Sequence, residues 1–460
     1  MYFKQITVPG LGCFSYAIGC PGSKAMVVVD PKRDVEEYLE ISRNEGMKIT
    51  HIIDTHVHAD HVSGGQELRA RTGSKIYLHE KAAVDYEHEV LKEGDVIEIG
   101  NARLEVLYTP GHTPNSLSLL VSDKSRSEEP WMILTGDLLF VGDIGRPDLA
   151  GDEILGEQVH NLYDSLYNKL GAYPDHLEVF PAHGMGSLCG RGMSSKTSST
   201  LGYERRHNPM LQFKNFEDFR VEMSQGFPTR PKSFTHIIRT NIKGAPLLDC
   251  CPPEPALSPD QFEQKMKAGA VVIDSRNMAA FGGFHIPGSL NIGFEKPLAN
   301  LFGMVVEPDS ELLLVVDGRE SYNAMVTVLH RIGYDRILGY LAGGIDAWVY
   351  SGRPVEKLEQ LSAQELNSRI EKGVAQRLID VRNPAEWNQG HLRDAVNLPM
   401  AKALGPDFGF SKAEDVVVMC GTGYRSNIVA SLLKQNGYER VYGMAGGTIA
   451  WNQAGYEMVR

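Results

Sequence analysis

A chain of 460 residues has room for about three domains of roughly 150 residues each. With 42% apolar and 23% charged residues it can build several cores, which excludes a disordered or collagen-like chain. A net charge of -12 argues against nucleic acid as a main partner, and no apolar run reaches the roughly 18 residues of a membrane span. The N-terminus M-Y-F-K-Q-I-T-V-P-G lacks the marks of an export signal, and the cysteines at 13, 20, 189, 250, 251 and 420 form no C-x-x-C pair. Reduced thiols in a cytoplasmic protein are expected, with Cys250-Cys251 read as an incidental pair in a proline-rich stretch and a redox role as the alternative.

The first 240 residues alternate short strands with turns. Strands are predicted at 25–30, 51–54, 75–79, 103–108, 116–121, 131–135 and 177–180, with a helix starting at 35–40. A helix is predicted over 152–170, where Ile154, Leu155, Val159, Leu162, Leu166 and Leu170 form an apolar stripe. Each polar cluster follows an apolar strand, the layout of a rigid sheet carrying a site on its loops. The cluster T-H-V-H-A-D-H at 55–61 follows H-I-I-D, and His112, Asp137 and His183 follow in later loops. His79, His88 and His160 carry no assigned role.

Residues 244–259 read as a linker. Beyond it I-D-S-R-N-M-A-A-F-G-G-F-H-I-P-G-S-L-N-I (273–292) returns as I-D-V-R-N-P-A-E-W-N-Q-G-H-L-R-D-A-V-N-L (379–398), and G-Y-D-R with A-G-G-I-D-A-W returns as G-Y-E-R with A-G-G-T-I-A-W. Each copy reads as a small α/β domain. In the second copy C-G-T-G-Y-R-S (420–426) follows a buried strand and precedes a helix, so loop amides and the helix N-terminus can favour a thiolate at Cys420 and stabilise sulfur carried on it, with Arg425 adding a fixed positive group. The first copy has D-G-R-E-S-Y-N there, with Asp317 at the expected nucleophile position.

The segment 380–399 and the C-x-x-G-x-R-S loop resemble the rhodanese sulfurtransferases. The resemblance implies that Cys420 takes sulfane sulfur from a donor and hands it to an acceptor, and that the first copy is inactive, a scaffold or interface.

The H-x-H-x-D-H signature with its later His, Asp and His resembles the metallo-β-lactamase superfamily over about residues 1–240. The expected architecture is an α/β multidomain chain: an αββα metallo-β-lactamase sandwich over 1–245, an inactive rhodanese-like domain over 260–355 and an active one over 360–460. Ligand types leave two chemistries open. Two zinc ions, one on His56, His58 and His112, the other on Asp60, His61 and His183, with Asp137 bridging, suit a thioester hydrolase. One iron on two histidines and a carboxylate suits an oxygenase.

The stretch T-G-D-L-L-F-V-G-D-I-G-R-P-D-L (135–149) looks like the G-R-x-D segment of persulfide dioxygenases, and a sulfurtransferase fusion makes chemical sense beside such an enzyme. The full chain resembles the persulfide dioxygenase-sulfurtransferase fusions of bacterial sulfide detoxification. The resemblance implies one Fe(II) per chain on His56, His112 and Asp137, with His58, Asp60, His61 and His183 around it, and Arg146 and Asp148 as a structural ion pair nearby. Cys20 and Cys189, each in a glycine-containing loop, are candidates for a sulfur relay. The implied reaction oxidises a low-molecular-weight thiol persulfide with O2 to sulfite and thiol, and Cys420 passes sulfur to sulfite as thiosulfate. The alternatives are a dinuclear zinc hydrolase of glyoxalase II type and a non-enzymatic persulfide sensor. No membrane partner is expected, and a homodimer or homotetramer is.

Overall fold

A computed structural model describes residues 1–248, 255–295, 297–405 and 408–460, so the pair Cys250-Cys251 lies outside the described residues. The chain divides into two compact units, the first made chiefly of its N-terminal half and the second of the two repeats.

The first unit holds two six-stranded sheets. The first runs β1 (Tyr2–Val8), β2 (Cys13–Cys20), β3 (Ala25–Val29), β4 (Lys48–Ile53), β5 (Lys75–His79) and β6 (Glu89–Leu91) in order across the sheet. The second runs from β7 (Val96–Ile99) at one edge through β8 (Ala102–Tyr108), β9 (Leu117–Asp123), β10 (Met132–Gly136) and β11 (Glu178–Pro181) to β12 (Ser199–Thr200). Strand alternation sorts the side chains into layers. Val27 and Val29 join Leu104, Val106, Leu119 and Leu134 between the sheets, while Met26 and Val28 turn outward with Tyr38 and Ile41 of α1 (Glu36–Asn44) and Leu68 of α2 (Gly65–Thr72). On the other outer face Leu120, Ile133 and Val179 pack on Val159 and Leu162 of α3 (Leu155–Tyr163). The result is the expected αββα order. Helices α4 (Leu201–His207), α5 (Phe216–Glu222) and α6 (Lys232–Lys243) follow.

Two expectations change. The helix predicted over 152–170 is helical throughout but not α throughout: α3 is preceded by a 3-10 turn at Asp152–Ile154 and followed by a π segment at Asp164–Lys169. An apolar stripe reports which face is buried and is indifferent to a one-residue widening of the turn. Strands β1, β2, β6, β7 and β12 lie outside the expected set; of these β2 is buried at every position, so C-F-S-Y-A-I-G-C shows no alternation.

In the second unit both repeats build the same five-stranded parallel sheet. The first copy pairs in the order β13 (Ala256–Leu257), β17 (Ile337–Leu341), β16 (Leu312–Val315), β14 (Val271–Asp274), β15 (Leu290–Asn291). The second repeats it as β18 (Glu359–Leu361), β22 (Val441–Met444), β21 (Val416–Met419), β19 (Arg377–Asp380), β20 (Ala395–Asn397). Ala256 and Leu257 pair with Tyr340 and Leu341, so the end of the expected linker is the first strand of this sheet. Helices α7 (Pro259–Lys267), α8 (Met278–Gly283), α9 (Leu298–Val305), α10 (Arg319–Arg331) and α11 (Gly344–Tyr350) belong to the first copy. The second has α12 (Ala363–Glu371), α13 (Pro384–Asn388), α14 (Tyr424–Gln435) and α15 (Gly447–Gln453). Among the described residues no helix is long and apolar enough to cross a membrane.

Candidate functional site

The loop after β4 is tied down from three directions. Asp30, just past β3, accepts hydrogen bonds from the Thr55 amide at 2.7 Å and hydroxyl at 2.9 Å. The Val57 amide donates to Asn115 at 2.9 Å, and Asn241 of α6 donates to the carbonyls of His58 and His61, each at 2.9 Å. Asp30 holds a left-handed backbone at φ 50°, a conformation that aspartate tolerates better than most residues.

So held, the loop presents His56 toward His112 and Asp137. His112 Nε2 lies 3.3 Å and His56 Nε2 3.8 Å from Asp137 Oδ2. Two donors each about 2.1 Å from one ion stand about 3 to 3.5 Å apart, so these atoms suit a shared cation better than a hydrogen bond. His112 Nδ1 donates to the Arg146 carbonyl at 2.7 Å, which leaves Nε2 its lone pair. The glycine of G-R-x-D has a steric reason: a Cβ at Gly145 would lie 1.8 Å from the Asp137 carbonyl oxygen. Arg146 clasps Asp148 through Nε and Nη2, both at 2.6 Å, which fixes the backbone that orients His112.

A second group adjoins the first. His183 reaches Asp137 Oδ1 from Nδ1 at 2.5 Å and Asp60 Oδ2 from Nε2 at 2.7 Å, and His61 Nδ1 is 3.2 Å from Asp60. Cys13, unremarked in the sequence, opens β2 here, with Sγ 3.2 Å from both Asp60 Oδ2 and His183 Nε2. The buried Cys189 sulfur also lies close to His183 and Asp137. Cys20 ends β2, seven residues beyond Cys13, so about 23 Å of strand separates it from the cluster. His58 turns Nε2 to Asp30 Oδ1 at 3.0 Å.

The two groups differ electrically. Burial pushes His56 and His112 below the usual imidazole range, keeping them neutral. Burial works the same way on His183 and His61, but the carboxylates of Asp137 and Asp60 outweigh it at His183, as Asp60 does at His61, and both are held well above that range. Asp137 is driven up by burial and more strongly down by His183 and His112, ending far below the carboxylate range. Four buried atoms, His58 Nδ1, His61 Nε2, His112 Nε2 and Asp137 Oδ2, have no hydrogen-bond partner among the described residues. Such orphans are costly, and a cation is the partner that His112 Nε2, an imidazole lone pair, and Asp137 Oδ2, a carboxylate oxygen, fit together.

In the second unit Cys420 follows β21, buried, with the Gly423 amide donating to Sγ at 3.2 Å and the Ser426 hydroxyl 3.6 Å away. Arg425 forms a two-pronged pair with Glu386 of α13. The first copy has no thiol at this place. Asp380 pairs with Met419 and Asp274 with Val315, so the residue in register with Cys420 is buried Val316, and Asp317 stands exposed one step later. The loop before α10 is one residue shorter than that before α14, so residues with matching neighbours in the two repeats do not share a register.

Residues 8–200 match the metallo-beta-lactamase superfamily, and residues 258–351 and 362–454 each match the rhodanese-like domain. The chain is 35% identical over 173 residues to the hydroxyacylglutathione hydrolase of Polaromonas sp., covering 37% of this chain and 61% of that protein. It is 26% identical over 242 residues to the mitochondrial persulfide dioxygenase ETHE1 of Bos taurus, covering 52% and 87%. A solved structure described as a metallo-beta-lactamase from Staphylococcus aureus subsp. aureus COL superposes with a TM-score of 0.67 at 31% identity, over 74% of this chain and 98% of that one.

Proposed function

The chain belongs to the metallo-beta-lactamase superfamily and carries two rhodanese-like domains behind that fold, and on this premise we propose that it oxidises low-molecular-weight thiol persulfides with O2 and passes sulfane sulfur through Cys420. The observation that carries the reading is the asymmetry of the donor set. His56, His112 and Asp137 converge with free atoms at His112 Nε2 and Asp137 Oδ2, whereas His183 spends both ring nitrogens on carboxylates. Two neutral imidazoles and a carboxylate form the facial set typical of non-haem ferrous iron. Likeness to a persulfide dioxygenase over 87% of that protein's length adds support.

His56, His112 and Asp137 would hold ferrous iron, which would supply the one-electron chemistry that oxidation by O2 needs. The protein's own part is orientation. The Arg146 carbonyl keeps the proton on His112 Nδ1, and His183 clamps Asp137 Oδ1 so that Oδ2 faces the two histidines. Asp30 holds His58 by Nε2, with Nδ1 turned inward. One persulfide, one O2 and one water yield one thiol, one sulfite and two protons. At the second site sulfite attacks the outer sulfur of a Cys420 persulfide; the S–S bond breaks, its electron pair stays on Cys420 Sγ, and thiosulfate leaves. The Gly423 amide and Ser426 hydroxyl hold the returning thiolate.

One observation favours a second reading. Asp60, His61 and His183 form a second donor group, and hydrolases match at higher identity over a shorter stretch, which suits a dinuclear zinc thioester hydrolase. Oxygen uptake by anaerobically purified, iron-loaded protein given glutathione or coenzyme A persulfide, with metals counted, separates the two. Rapid uptake with about one iron per chain supports the dioxygenase; thioester cleavage with two zincs and no uptake replaces it.

A further inference from the structure

The repeat without a cysteine lies against the helix that follows the repeat with one. Tyr424, the first residue of α14, donates its hydroxyl to the Gly293 carbonyl at 2.6 Å. One turn on, Asn427 donates Nδ2 to Asn291 Oδ1 at 2.5 Å, and a turn further the Asn291 amide donates to the Ser431 hydroxyl at 3.2 Å. Asn291 is itself fixed, giving Nδ2 to the carbonyls of Asp274 and Arg276, both at 2.9 Å. Asn427 is held from its other side by Gln360 Nε2 at 2.9 Å. Asn291, Asn427 and Ser431 are only 2%, 1% and 1% exposed.

The contact continues into the loop. Gly423 sits at φ 105°, and a Cβ there would lie 2.6 Å from Met278 Sδ of the first copy. The amide that donates to Cys420 Sγ therefore belongs to a residue wedged between the thiol and Met278. The second copy supplies an internal control. Asn397 bonds the carbonyls of Asp380 and Arg382 as Asn291 bonds its own pair, yet it is only half-buried. The shared asparagine is a feature of the fold; its use as a docking acceptor belongs to the first copy.

We propose that the cysteine-less copy is the positioning element of the Cys420 loop, with Asn291 and Gly293 fixing Asn427 and Tyr424, and Met278 fixing Gly423 so that its amide stays on the sulfur. This rests on the reading of Cys420 as the sulfur carrier. Apolar packing would hold α14 near the first copy but would leave it free to slide. Buried, fully satisfied hydrogen bonds fix rotation and register, and a donor must sit within a fraction of an ångström to serve a developing thiolate.

The test uses the full-length chain with glutathione persulfide as donor and sulfite as acceptor, reading thiosulfate, and in parallel the alkylation of Cys420 by iodoacetamide at fixed pH. The variants are Asn427→Ala, Asn291→Ala, their combination, and Tyr424→Phe, the mildest. Expected for Asn427→Ala is a kcat for transfer lowered on the order of 10- to 100-fold with KM for sulfite within about twofold, and alkylation slowed alongside. The double variant should be no worse than the worse single, because the two residues act as one pair. Tyr424→Phe, which removes only the hydroxyl, should lose roughly threefold or more in kcat while melting like the parent. Folded variants with parental kcat, or losses that track only the folded fraction, overturn the proposal. A parent chain whose Cys420 gains no sulfur by intact mass sinks the carrier reading itself, before any variant is compared.

Discussion

Arg425 grips Glu386 with both ends of its guanidinium, Nη1 to Oε2 at 2.7 Å and Nη2 to Oε1 at 2.6 Å. Burial alone raises the Glu386 carboxyl, but Arg425 outweighs it and holds the group below its usual range. Its stabilising share is therefore complete above the ordinary carboxylate range and fades as pH falls through the lowered folded value. With the two side chains 28% and 32% exposed, that share should stay under about 1 kcal/mol. Glu386→Gln is expected to melt within about 3 °C of the parent at pH 7. Arg425→Lys, which loses the planar fork, should form thiosulfate about tenfold more slowly. Unchanged transfer in Arg425→Lys would mean the pair serves only the fold.

The two sites should be separable by mutation. Asp137→Asn or His112→Ala is expected to lose iron and at least about 100-fold of persulfide-dependent oxygen uptake, while Cys420 still transfers sulfur. Cys420→Ser should do the converse, with oxygen uptake intact and sulfite in place of thiosulfate. Metal analysis, an oxygen electrode and product assays read all three. Thiosulfate formation that survives Cys420→Ser would remove the assigned role of that thiol.

Asp30 offers a test of ligand orientation without touching a ligand of the proposed iron. It accepts from Thr55 twice and from His58 Nε2, and asparagine tolerates the same left-handed backbone. Asp30→Asn should keep the fold and weaken iron binding by roughly 10- to 100-fold in a chelator competition. Affinity equal to the parent's would show that the carboxylate does not organise the site.

The cysteines should differ in their response to pH. The Asn101 amide donates to Cys20 Sγ at 3.4 Å, and this bond with the Ser23 contacts outweighs burial and lowers the thiol to about 7. Burial, with Asp137 and Asp60 nearby, drives Cys189 far the other way. Thiolate grows as pH rises through the thiol's own value, so Cys20 alkylation should rise with a midpoint near 7 while Cys189 stays unlabelled there. Peptide mass spectrometry over pH 5 to 10 measures both; a Cys20 midpoint at or above about 8.5, the free-thiol value, would contradict this.

Much of the candidate site is visible in the chain because its residues sit in short motifs that follow strands: H-x-H-x-D-H after β4, G-D after β10, A-H-G after β11. What stayed hidden has no local spacing. Cys13 is one apolar-looking residue at the head of a buried strand, and only the antiparallel bridge between Cys13 and His183 brings it to the cluster. Asp30 lies 25 residues from Thr55, and Asn241 lies 183 from His58. Strand pairing and helix packing create these neighbours, and neither leaves a periodic trace. The Val316 register is the same lesson in reverse, since matching letters put Asp317 opposite Cys420 and the hydrogen-bonded ladder does not.

The buried polar row on α14 also bears on where this chain can be cut. A break between the repeats would bare the Asn427 amide and the Ser431 hydroxyl, together with a helix face shaped to meet another sheet's edge. The last repeat, although it has a complete sheet and its own thiol, should then be a poor excised enzyme, sticky and slack at its loop. Each copy has its own complete sheet, yet the two should melt together in a single calorimetric transition.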